Sequence, residues 1–388
     1  MEKNDLLQGK NVVMVVTGSI SAYRTPDIAR DLKKCGATVK VVLSRSASEI
    51  IGKETLEWAS EEPVLDRLTG NMEHISLFEH NKENAILLVC PATYNIIGKF
   101  AGGIADDPTS TIFANALGSE IKTVIVPAMH REMYESPILK SNIMKLQKLG
   151  VQFVAPRLED GKAKLMYPEE IIDTLIRGKG NNKSLLIVSG RSEVPLDPVR
   201  SLVNKSSGYT GISLAREAYR NGYEKIIYIG NSDYRMPHYC EFIKCNLTDD
   251  FYRIAEDVVR NRKIDLIIIP AALSDFKLRQ NDKKIKSTDI ASVKLEPREK
   301  LLDRIAGIMK ELKLNVPIIK FKLSDGNYVP ENSDQVTVLN LIGEVPFGSK
   351  PNKYVIFDGN KKLMEKSMSK EELAMILIKI GDGLIEKH

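Results

Sequence analysis

The run Ala85-Ile86-Leu87-Leu88-Val89-Cys90 is apolar at every position and stops at Pro91. A strand exposed on one face alternates apolar and polar residues. An unbroken apolar run of strand length belongs to a strand buried on both faces, as in a parallel sheet covered by helices. Pro91, Ala92 and Thr93 end the run, and a helix-like pattern begins with Ile96, Ile97 and Phe100. Small side chains and free backbone N–H groups therefore lie at the carboxyl end of a parallel strand, where open α/β sheets bind nucleotides and flavins. The segment Gly102-Gly103-Ile104-Ala105-Asp106-Asp107 adds backbone that a flat ring can approach closely.

The alternation continues along the chain. In the first half, strands are expected at 12–16, 38–43, 85–90, 123–126 and 152–154, with helices at 22–34, 109–117 and 138–149. The polar, Gly-rich break Gly178-Lys179-Gly180-Asn181-Asn182-Lys183 separates this series from a second one. There, strands are expected at 184–188, 225–229, 264–270, 316–321, 336–339 and 354–357, with helices at 207–220 and 251–261. Ser369, followed by Glu371 and Glu372, caps a closing helix. The pattern predicts an α/β chain of two doubly wound Rossmann-like domains, residues 1–178 and 184–388.

Composition narrows the function classes. With 388 residues the chain has room for about two domains, and a net charge of +5 without a long basic block suits small anionic ligands better than nucleic acid. Its four cysteines include no CxxC pair, which points to a reducing, cytoplasmic setting without a disulfide framework or zinc site. No signal-peptide pattern and no apolar run of membrane-spanning length is visible, so no membrane partner is expected.

Thr17-Gly18-Ser19-Ile20-Ser21 follows the first strand and opens a helix, a place for a phosphate or simply a strand–helix turn. Leu43-Ser44-Arg45-Ser46 adds two hydroxyls after the second strand. His74 lies in the short alternating segment Glu73-His74-Ile75-Ser76-Leu77, and Pro127-Ala128-Met129-His130 ends a further strand before Met133 and Tyr134. In this order, these segments resemble the homo-oligomeric flavin-containing cysteine decarboxylases. The resemblance implies a flavodoxin-like domain that binds FMN between subunits of a trimer. The flavin there oxidises the thiol of an acyl-cysteine to a thioaldehyde, which loses CO₂. It makes His74 the general base of that oxidation. It also assigns Gly18, Ser19, Ser44, Ser46, Pro91, Ala92, Thr93 and Met129 to the flavin, and Asn95, His130 and Met133 to the substrate. Two departures stand out. His130 replaces the family's carboxylate-holding Asn, though a donating imidazole can do the same. The stretch 155–164 lacks the Cys that the bacterial members use as final acid and looks like the archaeal branch, leaving Lys162 and Lys164 as the candidates.

Downstream, Asp197-Pro198-Val199-Arg200 leads to Asn204-Lys205-Ser206-Ser207-Gly208 and a helix that Ser206 or Ser207 can cap. An Asp–Arg pair that merely holds the loop fits this segment equally well. Ala271-Ala272-Leu273-Ser274-Asp275-Phe276 follows a buried strand, and Lys283-Lys284-Ile285-Lys286 suits either a polyphosphate or a solvated surface. Together they resemble the phosphopantothenate–cysteine ligases, in which CTP activates a carboxylate as an acyl-cytidylate and the amine of cysteine displaces CMP. The resemblance assigns Asn204 to the acyl-cytidylate and Lys284 to charge neutralisation. It places Arg200 on the substrate, and Ser206, Ser207, Gly208, Ala272, Asp275, Lys286 and Phe321 on the nucleotide. The family's Lys-bearing helix after Phe321 is missing here, which leaves Lys320 or Lys322 to compensate.

The two resemblances imply a bifunctional coenzyme A biosynthesis enzyme that uses CTP, Mg²⁺ and FMN on small-molecule substrates. They also imply a homo-oligomer, with trimers of the first domain, dimers of the second and a dodecamer from both. Two alternatives stay open: a divergent paralogue with one or neither activity, and a flavin-binding regulatory protein.

Overall fold

The computed structural model describes residues 5–79, 82–278, 282–285, 294–324, 335–341 and 352–387. Lys286 and the shortened segment at 325–334 lie outside them. The chain divides into two compact units, Met1–Ile176 and Arg177–His388.

The strands of the first unit are β1 (Asn11–Val16), β2 (Thr38–Leu43), β3 (Ala85–Ala92), β4 (Lys122–Pro127), β5 (Met129–His130), β6 (Gln152–Phe153), β7 (Arg157–Glu159) and β8 (Lys162–Lys164). Its helices are α1 (Thr25–Lys34), α2 (Arg45–Ser48), α3 (Lys53–Ser60), α4 (Glu73–Glu79), α5 (Tyr94–Gly102), α6 (Pro108–Gly118), α7 (Arg131–Glu135), α8 (Pro137–Lys148) and α9 (Pro168–Ile176). Five parallel strands pair in the order β2-β1-β3-β4-β6, the flavodoxin-like order with its switch point between β1 and β3. Both faces are covered, as the apolar runs require. Val12, Met14 and Val16 share a core with Ile28, Ala29 and Leu32 of α1, whereas Val13 and Val15 share one with Ile97, Phe100 and Ile112 of α5 and α6.

Several local expectations change. The helix expected from residue 22 begins at Thr25, because Ile20–Arg24 winds into a tighter 3₁₀ turn. Pro26, which lacks an N–H, fits the first turn of α1. The alternating residues around His74 form α4 rather than extended chain. The Gly102–Asp107 segment is spent on helix ends: Gly103 closes α5 at φ 69°, and Asp107 caps α6 in a reciprocal pair with Ser110. Lys99 Nζ binds both Asp106 and Asp107, at 2.6 and 2.7 Å.

The second unit contains β9 (Ser184–Ser189), β10 (Glu193–Pro195), β11 (Ser201–Val203), β12 (Lys225–Gly230), β13 (Glu241–Lys244), β14 (Leu266–Ile269), β15 (Phe276–Lys277), β16 (Glu296–Pro297), β17 (Ile318–Ser324), β18 (Val336–Leu341), β19 (Asn352–Asp358) and β20 (Lys361–Met368). Its helices are α10 (Tyr209–Arg220), α11 (Thr248–Asn261), α12 (Leu301–Leu312) and α13 (Lys370–Ile385). The main sheet runs β13-β12-β9-β14-β17-β18-β19-β20, parallel as far as β18 and antiparallel beyond it. Its parallel part has the dinucleotide-fold order, reversing between β9 and β14. Leu185 and Ile187 pack with α10 and α13, while Leu186 and Val188 pack with α11 and α12. The edge strand β20 carries Lys361, Lys362 and Lys366, mostly exposed. Ser369 and Glu372 cap α13 reciprocally, as expected. Among the described residues, no helix is long and apolar enough to cross a membrane.

Asp107→Ala should lower the stability of the first unit by about 1 kcal/mol through loss of the α6 cap. Asp106→Ala, which mainly breaks an exposed pair, should cost about half of that or less. Thermal unfolding of the two variants beside the parent checks the ranking.

Candidate active sites

At the first switch point, the turn after β1 reaches its neighbours through two hydroxyls. Thr17 Oγ1 donates to Pro91 O at 2.7 Å and accepts from Thr93 N at 3.1 Å, which fixes the end of β1 against the end of β3. Ser19 Oγ donates to Ala128 O at 3.1 Å and so ties the same turn to the chain leaving β4. The turn after β2 lies alongside. A Cβ on Gly18 would come within 2.4 Å of Ser46 Oγ and 2.6 Å of its Cβ, so only glycine allows the two turns to meet. Ser44 caps α2 through Ala47 N and lies 3.3 Å from Ser46 Oγ. Thr93 caps α5 through Ile96 N. The fold thus gathers Gly18, Ser19, Ser44, Ser46, Pro91, Ala92 and Thr93. It offers hydroxyls and backbone N–H groups at the carboxyl ends of β1, β2 and β3, a donor set suited to a phosphate.

Sequence reasoning quoted Thr17 but gave it no role. A Thr directly after a buried strand, two residues before a Ser, was the available signal. Cys90 lies next to this cluster, but burial pushes its thiol up to about 12, so it is inert.

The remaining residues of the first unit are arranged differently. His74 is the second residue of α4, and its carbonyl accepts from Asn115 Nδ2 at 2.6 Å. Its half-buried imidazole makes no hydrogen bond among the described residues. Asn95 is exposed in the first turn of α5, and Met133 is exposed on α7. Met129 and His130 form β5, which pairs antiparallel with β8 so that Met129 faces Ala163 and His130 faces Lys162. Tyr134 packs against the core beside α5, and burial raises its phenol.

At the second switch point the same device recurs. Ser192 Oγ donates to Ala272 O at 2.9 Å and accepts from Ser274 N at 3.0 Å. Asn204 joins this cluster, its N donating to Ser192 O at 3.0 Å and its Nδ2 to Leu273 O at 2.9 Å. Asp275 is exposed just beyond, its carbonyl accepting from Arg298 N. Sequence reasoning quoted Ser192 within Gly190-Arg191-Ser192-Glu193 without giving it a role, and passed over Asn231. Buried Asn231 donates to Arg191 O and Cys245 O and accepts from Arg191 N, holding three turns together.

Neither Ser206 nor Ser207 caps α10 in the expected way, because Gly208 occupies the cap position at φ 71°. A Cβ there would lie 2.5 Å from Asn231 O, and the serines instead accept from Gly208 N and Tyr209 N. The Asp–Arg pair holds its loop. Asp197 is buried and takes Arg200 Nε and Nη2 at 3.0 and 2.7 Å, and it also accepts from Val199 N, Arg200 N and Ile285 N. Arg200 Nη2 donates onward to Ile285 O. With its guanidinium committed in this way, Arg200 anchors the segment bearing exposed Lys284 beside the cluster. Phe321 lies on β17 opposite Val338 and packs on the core shared with Tyr354.

Residues 1–179 match the Flavoprotein family, and residues 180–382 match the DNA/pantothenate metabolism flavoprotein C-terminal domain. The pairing defines a two-domain flavoprotein. The chain is 36% identical to the coenzyme A biosynthesis bifunctional protein CoaBC of Thermococcus kodakarensis, covering 96% of this chain and 94% of that one. It is 31% identical to the protein of the same name from Methanocaldococcus jannaschii, over 87% and 83% of the two chains. To that of Borreliella burgdorferi it is 30% identical, over 98% and 100%. The chain belongs to the coenzyme A biosynthesis bifunctional proteins.

Burial opposes ionisation of Asp197, but the Val199 N–H, the Arg200 guanidinium and the Ile285 N–H outweigh it and hold the carboxyl at about 2. A depressed carboxylate stabilises above its ordinary range near 3.9 and loses that contribution as pH falls toward its folded value. The stability gap between the parent and Asp197→Asn should therefore be full at pH 6 and narrow steadily below pH 4. Thermal unfolding at stepped pH reads this gap, and a gap independent of pH would contradict the clamp.

Proposed function

We propose that this chain converts 4′-phosphopantothenate to 4′-phosphopantetheine in two steps. The second unit joins 4′-phosphopantothenate to cysteine at the expense of CTP, and the first decarboxylates the product with FMN. The observation that carries this reading is the nearly full-length match to a bifunctional relative, 36% identical over 96% of the chain.

In the first unit, the hydroxyls of Ser19, Ser44 and Ser46 hold the flavin phosphate, a role supported by the absence of any carboxylate in that set. Pro91, Ala92, Thr93 and Met129 line the ring, and Gly18 keeps the two turns close enough to serve one ligand. Bound FMN supplies a two-electron acceptor that is regenerated within the turnover, so the decarboxylation is redox-neutral overall. His74 takes a proton from the substrate, and its imidazole, which makes no hydrogen bond among the described residues, is available for that task. His130, Met133 and Asn95 hold the acyl-cysteine, with the imidazole of His130 on its carboxylate.

In the second unit, Ser206, Ser207 and Gly208 lead the N–H groups of the first turn of α10 toward nucleotide phosphates. Ala272, Asp275 and Phe321 contact the nucleoside. Lys284 and Lys286 offset charge as the phosphopantothenate carboxylate attacks the α-phosphate of CTP and pyrophosphate departs. Asn204 steadies the acyl-cytidylate until the cysteine amine displaces CMP, and Arg200 positions Lys284 through Ile285. Mg²⁺ travels on the nucleotide phosphates, as it ordinarily does with triphosphates. Trimers of the first unit and dimers of the second build the working oligomer, up to a dodecamer, in the cytoplasm.

Purified protein given 4′-phosphopantothenate, cysteine, Mg²⁺ and CTP should form 4′-phosphopantetheine, followed by mass. Silence both here and with 4′-phosphopantothenoylcysteine supplied directly would sink the reading. His74→Ala should keep its flavin absorbance and lose about 10²- to 10⁴-fold in decarboxylation rate. Flavin loss in step with turnover would assign His74 to binding instead.

A further inference from the structure

The three-stranded sheet β5-β8-β7 sets two basic side chains against each other. His130 on β5 lies directly opposite Lys162 on β8. Residues facing each other across antiparallel strands project from the same face, with Cβ atoms about 4.5–5.5 Å apart. Beneath them, Ala163 is 1% exposed and Met129 packs on the core, so His130 and Lys162 occupy the outer, solvent side. Both are exposed.

The neighbouring carboxylates bond other partners, and Asp160 attracts Lys162 only through space. Glu159 faces it from β7, but that carboxylate goes to Arg157 at 3.3 Å and Lys164 at 3.4 Å. Lys164 is further bound to Asp160 at 2.6 Å. Arg157 is held by Leu165 O and the Tyr167 hydroxyl. Lys162 makes no hydrogen bond or ion pair among the described residues. Two nitrogen bases that face each other without a carboxylate between them are unfavourable once both carry charge, and an anion placed between them removes the penalty.

We infer that Lys162, together with His130, forms the clamp for the carboxylate of the acyl-cysteine, and that Lys162 distinguishes this acid from its decarboxylated product. The inference rests on the decarboxylase reading above, and it separates the two lysines of the segment. Lys164 braces the small sheet, and Lys162 meets the ligand. The carboxylate lies between two donors on adjacent strands, so the strand pairing itself sets the spacing of the clamp.

The test uses the full-length flavin-loaded protein, with kcat and KM for 4′-phosphopantothenoylcysteine and the inhibition constant of 4′-phosphopantetheine. For Lys162→Ala, loss of one charge-assisted contact should raise KM by about tenfold or more. The inhibition constant of the product, which has no such carboxylate, should stay unchanged. Lys162→Arg should recover most of the loss. An unchanged KM in Lys162→Ala, or KM and the inhibition constant rising together, would overturn the assignment. Wild-type protein inactive on the acid would overturn the decarboxylase reading itself, a result visible before any variant is compared.

Discussion

One short hydroxyl after the first strand of each unit holds the site of that unit in shape. Thr17 donates to the carbonyl of Pro91 and accepts from the amide two residues further on; Ser192 does the same with Ala272 and Ser274. Both hydroxyls sit where the strand order reverses, and the crevice there exists only because consecutive connections leave in opposite directions. Beyond the last paired residues the ladder leaves a gap, which in the second unit is crossed by a single bridge between Arg191 and Ala272. A side chain able both to donate and to accept closes it, and removing that side chain would leave a carbonyl and an amide unpaired, each costing about 1–3 kcal/mol where water is excluded. Within the first unit Thr93 bonds this oxygen directly, and within the second Asn204 bonds the backbone of the residue that carries it.

The sheet strands were legible because burial on both faces leaves no polar position to interrupt the apolar run, as at Ala85–Cys90. The exposed strand β13 and the lysine-rich β20 carry no such mark and went unread. The short segment around His74 was ambiguous for a related reason: five residues cannot distinguish a two-residue period from one helical turn, and tertiary packing decided it. Site residues were legible where glycine, proline and hydroxyls cluster after strands. What the sequence could not show is which hydroxyls face inward to the fold and which face outward. Thr17 and Ser192 are buried links, whereas Ser19 and Ser44 bond the fold while remaining half-buried. Only the paired geometry of neighbouring strands separates the two groups.

Charge in this protein divides between groups already satisfied and groups still available. Lys99 and Lys164 each answer a carboxylate nearby, and they organise turns rather than ligands. Exposed pairs of this kind contribute little to stability, so their value lies in geometry. The buried Asp197 is different, because five donors converge on it and a loop and a distant segment are fixed by one carboxylate.

The far edge of the second sheet has a consequence of its own. Beyond β18 the strands turn antiparallel and finish on β20, whose Lys361, Lys362 and Lys366 line an otherwise open row of backbone groups. Glu365 pairs with Lys362 on this strand, and exposed lysines such as Lys361 and Lys366 blunt a sheet edge against a second copy. Sheet continuation from copy to copy along this edge is therefore disfavoured. This one edge is a poor template for open-ended stacking.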